Sequence, residues 1–383
     1  MRILVVVQRY GAEVVGGAES HARTLARRLA RRHEVEIATT NALDYWTWAE
    51  HFPPGESADD GILVRRFRVR SGRRADYKEI ESRVLLGPHS LADEWEWLRA
   101  QGPHAPDLLE FLHREGQRYH AIVFYTYIYE PTALGLPIIP ERALLVSTAH
   151  DEAPLRLAPY RALFQLPRAI AFLTPEERDL VHGQFRNEHI PSDVIGVPLE
   201  PAALGDAERF RAVHGVRGPI VVYLGQVTEA KGCDELLALW SSRDRGATLV
   251  LCGQVRMPIP ERADVRALGE VSEETKRDAL AAADLIVQPS HLESLGIVLL
   301  EAWQQGTPAL VNAASPVTAG QVARAAGGLA YGDQASFEAA LAQLLAGGRG
   351  SGERGRDWVR AEYAPERFDR RVEDLVSVAA VMR

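Results

Sequence analysis

Two glutamates and a lysine are the residues whose type and spacing point most directly to chemistry. Glu293-Ser294-Leu295-Gly296-Ile297 follows the apolar run Leu285-Ile286-Val287-Gln288-Pro289-Ser290. The pattern predicts a strand over 284–288, then a helix from about Ser294 to 305. The first turn of such a helix offers the backbone N–H groups of Leu295, Gly296 and Ile297 to an anion. Gly296 carries no side chain to hold a phosphate away from the backbone. Glu301 follows Glu293 by eight positions, a helical rise of about 12 Å. That span matches a sugar at one carboxylate, a ribose at the other and a diphosphate between them. Taken singly, each acid also fits a blander role, Glu293 as an acid favoured by the helix dipole and Glu301 as a solvated helix residue.

A cation stands in a second loop of the same kind. Tyr223-Leu224-Gly225-Gln226-Val227-Thr228-Glu229-Ala230-Lys231-Gly232 leaves a predicted strand and enters a predicted helix. Lys231 there suits a departing diphosphate, whose developing charge needs a positive partner. Of 44 basic residues only Lys78, Lys231 and Lys276 are lysine, so each lysine stands out.

The elements that would position these groups alternate. Strands are predicted at 2–8, 33–39, 62–69, 121–125, 143–147 and 169–173, then at 220–224, 248–252, 284–288 and 309–311. A helix from Ala18 to about Arg32 follows the first strand, and others cover about 232–241, 272–282 and 294–305. Alternation of this sort makes parallel sheets covered by helices. Pro198-Leu199-Glu200-Pro201-Ala202-Ala203-Leu204-Gly205 has linker composition and divides the chain near its middle. The expected fold class is therefore α/β, two doubly wound Rossmann-like domains facing across a cleft, with ligands beyond the carboxyl ends of the strands.

Composition narrows the function. The 383 residues carry a formal charge of −8, which argues against a general nucleic-acid binder. Two cysteines, Cys233 and Cys252, provide neither a disulfide framework nor a zinc cluster. No apolar run approaches membrane-span length, and no leader-like segment opens the sequence, so a cytoplasmic protein is expected. Gly350-Ser351-Gly352-Glu353-Arg354-Gly355 spells a dinucleotide fingerprint, but it follows a helical stretch rather than a strand and reads as a surface helix–helix turn. No Asp-x-Asp pair is present to hold a metal–diphosphate.

Together, Gly225…Lys231-Gly232, Glu293-x7-Glu301, Ala302, Gly306-Thr307-Pro308 and Ala283-Asp284…Pro289-Ser290 resemble the retaining glycosyltransferases of family four (glycosyl transferases group 1), which have the GT-B fold. Gly16-Gly17-Ala18-Glu19, Leu25-Ala26, His33-Glu34-Val35 and His150-Asp151 extend the resemblance over nearly the whole chain. It implies transfer of a sugar from a nucleotide-diphosphate donor to a hydroxyl acceptor, with no cofactor and no metal. It implies that Glu293 binds the transferred sugar, Glu301 the ribose, and Lys231 with Leu295, Gly296 and Ile297 the diphosphate. Gly16 and Gly17 would line the phosphate and acceptor side, and His150 would sit beside the donor sugar. Gln226, also implied at the diphosphate, stands where the family usually has an arginine; its neutral amide can donate a hydrogen bond but leaves Lys231 with less help. The implied domains are 1–198 with a C-terminal helix 364–383 packing back on it, and 199–363 for the nucleotide sugar.

Acceptor signals are weaker. Trp46, Trp48 and Tyr127 are aromatics on presumed loops that could stack on a sugar, though ordinary core packing explains each as well. Arginines at 65, 66, 68, 70, 73 and 74, with those on the first helix, could meet an anionic membrane surface as a peripheral contact or form a solvated face. Two other functions stay open at this point: another sugar-nucleotide enzyme of the same fold, an epimerase or phosphorylase, and a non-catalytic sugar-nucleotide-binding protein.

Overall fold

The computed structural model describes residues 1–242 and 245–380. The chain forms two units: Met1–Val197 with the segment from Phe368 onward, and Pro198–Arg367.

The first unit is built on eight strands: β1 (Arg2–Val7), β2 (Glu34–Thr40), β3 (Gly55–Asp59), β4 (Ile62–Phe67), β5 (Ala121–Tyr125), β6 (Ala143–Val146), β7 (Ala169–Phe172) and β8 (Ser192–Val194). Their order in the sheet is β3-β4-β2-β1-β5-β6-β7-β8, parallel except for the β3–β4 hairpin. β1 lies at the centre because Ile3-Leu4-Val5-Val6-Val7 has no polar face to show, and all five residues are fully buried. Leu4 and Val6 share one apolar cluster with Ile122, Phe124, Leu145 and Phe172.

The second unit has six parallel strands: β9 (Ile220–Leu224), β10 (Thr248–Cys252), β11 (Val265–Gly269), β12 (Leu285–Gln288), β13 (Ala309–Asn312) and β14 (Gly328–Tyr331), in the order β11-β10-β9-β12-β13-β14. β9 and β12 are central neighbours, so the loops that follow them, carrying Lys231 and Glu293, emerge side by side. The order of strands reverses between them, which is where open α/β sheets hold ligands.

The helix Pro365–Ala379 passes from one unit to the other. In the first unit its residues Phe368, Val372, Leu375 and Val376 are buried. Arg28 Nη2 donates to Asp369 Oδ2 at 2.8 Å, and His33 Nε2 lies 2.8 Å from Glu373 Oε2.

Two expectations are corrected. The helix after β12 runs Ile297–Gln304, three residues later than the pattern predicted. Glu293 therefore sits in a loop, and the helical 12 Å between it and Glu301 does not apply. The glycines at 350–355 form no turn; they open the helix Gly350–Glu362. Gly352 and Gly355 are buried there, because the missing side chains let this helix lie against Gly306 and Trp303. No described helix is long and apolar enough to cross a membrane.

Candidate functional site

In the second unit the site is assembled by two strand ends. Gly232 adopts φ +70° and closes the loop after β9; a Cβ there would come within 2.6 Å of the Pro289 carbonyl oxygen. Only glycine permits this approach, and it brings Lys231 to the end of β12. Lys231 Nζ donates to Glu293 Oε1 at 2.8 Å. Gln288, the last residue of β12, donates to the same oxygen through Nε2 at 3.1 Å. One carboxylate oxygen thus collects two donors, a half-exposed cation and a buried amide.

Beyond Glu293 the backbone turns through Gly296, at φ +62°, into the helix Ile297–Gln304. Leu295 is buried, and its carbonyl accepts from Gln321 Nε2 at 2.5 Å; Ile297 is exposed. Leu295 and Gly296 therefore precede the helix, and the first-turn amides belong to Ile297 and Val298. Gln226 is exposed in the loop after β9, with its carbonyl accepting from Tyr223 Oη at 2.7 Å.

Glu301 is a turn further along, and it is not a merely solvated residue. Lys276, on the helix Glu273–Ala282, reaches Glu301 Oε1 and Glu273 Oε2 at 2.8 Å each. Burial pulls the Lys276 ammonium down, but the hydrogen bonds to Glu273 and Glu301 outweigh it and hold its pKa above the ordinary lysine value. Both lysines of this unit are thus committed to the two spaced glutamates.

The first unit holds the remaining candidates. Gly16 caps the helix Gly17–Leu29 from an extended conformation, and a Cβ on it would collide with the Glu19 carboxylate. That carboxylate is buried against Arg9, with Nη2 to Oε1 2.6 Å, and also accepts from Gln8 Nε2 at 2.9 Å. Gly17 has open space where a side chain would go. His150 is half-buried in the loop after β6. The segment before it is tied down by buried Glu177, which accepts from Ser147 Oγ at 2.5 Å and the Ala149 N–H at 2.7 Å. Burial raises the Glu177 pKa against the lowering effect of these bonds and of nearby His150.

Two of the aromatic candidates are core residues. Trp48 is 1% exposed and spends its indole N–H on the Gln101 carbonyl at 2.9 Å. Tyr127 is fully buried and donates to Glu152 Oε1 at 2.7 Å. Neither ring has a face open to stacking. Trp46 is 58% exposed and rests on Tyr45, ring centroids 4.5 Å apart. The arginine run is largely matched acid by acid: Arg65 to Glu36 and Glu56, Arg68 to Glu50, Arg70 to Asp107, Arg74 to Asp76 and Glu96. Arg66 and Arg73 instead lie over the rings of Phe52 and Tyr77.

Residues 206–363 match the family described as glycosyl transferases group 1. The chain is 26% identical over 342 residues to the D-inositol 3-phosphate glycosyltransferase of Nocardia farcinica, covering 78% of this chain and 70% of that protein. It is 27% identical over 334 residues to the protein of the same name from Mycolicibacterium smegmatis, covering 79% and 72%. The sucrose-phosphate synthase of Thermosynechococcus elongatus superposes with a TM-score of 0.70 at 18% identity, over 98% of both chains. Anabaena HepE in complex with UDP and glucose gives 0.67 at 14%, over 98% and 99%. Residues 206–363 thus carry a glycosyl transferases group 1 region, in a chain with the fold of the GT-B glycosyltransferases.

Sequence reasoning missed two residues of the second unit, Gln288 and Lys276. The scarcity of lysine was the available signal for Lys276. Gln288 had a signal too, since an amide closes an otherwise apolar strand beside the ligand-bearing loop.

Proposed function

We propose that this glycosyltransferase moves a sugar from a nucleoside-diphosphate donor to a hydroxyl acceptor with retention of anomeric configuration. The observation that carries the reading is the convergence of Lys231 and Glu293 at the end of β12, with Glu301 on the helix that follows. Glu293 accepts hydroxyl hydrogen bonds from the sugar, and Glu301 does so from the ribose. Lys231 and the amides at the start of the helix Ile297–Gln304 take up the charge that grows on the diphosphate as the glycosidic bond breaks. A diphosphate oxygen on the departing side receives the acceptor's proton, so the new bond forms on the face the old one left. With the charge met by a lysine and backbone amides, the reaction is proposed to need no divalent metal and no cofactor. Gly16, Gly17 and His150 enter through the resemblance, His150 beside the donor sugar.

The names of similar proteins supply the first reagents. UDP-glucose is the first donor to try, and a phosphorylated cyclitol the first acceptor, with glycan and lipid-linked acceptors next. Product formation with UDP-, GDP-, ADP- or dTDP-sugars, followed by NMR of the anomeric proton, tests the reading. An inverted product would overturn retention, and loss of turnover in EDTA would overturn metal independence. Donor turnover that needs no acceptor would favour an epimerase, and nucleotide-dependent thermal stabilisation without turnover a binding protein.

A further inference from the structure

Gln288 is 4% exposed, at the end of a strand whose other residues are Leu285, Ile286 and Val287. Its amide is divided unequally. Nε2 donates to Glu293 Oε1, while Oε1 is buried and has no hydrogen-bond partner. The reverse amide orientation would set a carbonyl oxygen against a carboxylate, so Glu293 alone fixes which end is satisfied. A buried acceptor without a donor costs stability, and an apolar side chain of the same length would avoid that cost. The unmet oxygen offsets what the fold gains from the one bond the amide makes, and that bond goes to Glu293.

We infer that Gln288 is a positioning residue for donor-sugar recognition: it keeps the Glu293 carboxylate aimed at the sugar when Lys231 turns away to the diphosphate. The inference rests on the proposed roles of Glu293 and Lys231. Glu293 Oε1 has two donors, and they differ in mobility. Lys231 is 41% exposed on a flexible stem; Gln288 is locked at the end of a central strand. When the diphosphate competes for Lys231, Gln288 remains, and it leaves Glu293 Oε2 for sugar hydroxyls. A neutral donor suits this task, because a second fixed cation would hold the carboxylate too strongly to serve a hydroxyl.

The experiment is calorimetric and uses the full chain. Wild type is titrated with UDP-, GDP-, ADP- and dTDP-glucose; the tightest is kept as probe, together with its parent nucleoside diphosphate. In Gln288→Met the parent diphosphate should bind within twofold of wild type, while the extra affinity conferred by glucose falls about tenfold. Melting temperature should equal or exceed that of wild type, an outcome a purely structural role does not produce. Glu293→Gln should lose the same increment, and Gln288→Met combined with Glu293→Gln should lose no more than Glu293→Gln alone. An unchanged glucose increment in Gln288→Met, or a lowered melting temperature with equal loss for both ligands, overturns the inference. If wild type binds none of the four sugars, the proposed function fails first and takes this inference with it.

Discussion

Lys231 Nζ and Glu293 Oε1 are 2.8 Å apart, so the cation read as the diphosphate partner and the carboxylate read as the sugar partner are hydrogen-bonded to each other. The Lys231 ammonium has three N–H donors, so a phosphate can be met beside Glu293 or in its place; in the second case Gln288 Nε2 is the remaining donor to Glu293 Oε1. Binding of diphosphate and presentation of the sugar carboxylate become linked events in this arrangement.

Lys231→Ala should therefore lower kcat/KM about 100-fold, the scale on which one preorganised electrostatic partner acts. Lys231→Arg should recover part of that loss, since it restores charge but not the compact ammonium geometry. Steady-state kinetics on the two variants checks this. Activity of Lys231→Ala within threefold of wild type would remove Lys231 from the site.

Lys276 makes a different prediction. Its two carboxylate partners belong to one site residue, Glu301, and one surface residue, Glu273. Lys276→Met leaves Glu301 without its cation and free to swing, so nucleotide affinity should fall about tenfold, equivalent to about 1.4 kcal/mol. Turnover at saturating donor should change little, because Lys276 lies outside the bonds being exchanged. Product inhibition by the free nucleoside diphosphate measures the effect without the sugar; an unchanged inhibition constant would refute it.

How much of this was legible varies with physical cause. β1, β5, β9 and β10 are continuous apolar runs and show in the sequence because both faces are covered. β3 has the composition Gly-Glu-Ser-Ala-Asp and lies at the sheet edge, largely exposed, so no hydrophobic period marks it. Its signal was the turn Asp60-Gly61, where both residues take positive φ as a two-residue hairpin requires. Glu293, Glu301 and Lys231 were legible through their spacing and loop context, although the helix start was placed too early. Gln288 and Lys276 act through contacts that no local period encodes: the partner of Lys276 is 25 positions away on another helix. Trp48 and Tyr127 looked like loop aromatics and proved to be core, since sequence shows a ring's presence but not which way the loop turns it.

His21 gives the fold a pH dependence. It is buried in the first unit, its Nε2 2.7 Å from the Gly196 carbonyl and its Nδ1 2.9 Å from Tyr125 Oη. The neutral ring satisfies both, with Nε2–H donating and Nδ1 accepting. Burial pushes its pKa down to about 4, only partly offset by the Gly196 bond. The unfolded chain, with an ordinary histidine near 6.5, then binds the proton more readily than the native state. Stability should fall as pH drops from about 6.5 towards 4, by up to about 3 kcal/mol from this group. Urea unfolding across that range measures it. His21→Gln should flatten the dependence, and an unchanged slope would show that His21 is not its source.

The glycines at 350–355 yield the last prediction, a gradient within one motif. A Cβ on Gly355 would strike the Trp303 indole, and that ring is held in place by its N–H bond to the Gly327 carbonyl at 2.8 Å. A Cβ on Gly352 would strike the backbone carbonyl of Gly306, which yields even less. Gly355→Ala and Gly352→Ala should each destabilise by about 1–3 kcal/mol, the usual effect of overpacking. Gly350 has nothing within 4 Å of that position, so Gly350→Ala should stay within about 0.5 kcal/mol of wild type. Trp303 lies on the same helix as Glu301, so pushing the indole aside also moves the carboxylate proposed to bind the ribose. The two buried-glycine variants should lose nucleotide affinity along with stability, while Gly350→Ala keeps both. Denaturant melts paired with nucleotide titration distinguish this from a nucleotide-binding role for the motif, under which all three variants would lose affinity at undiminished stability.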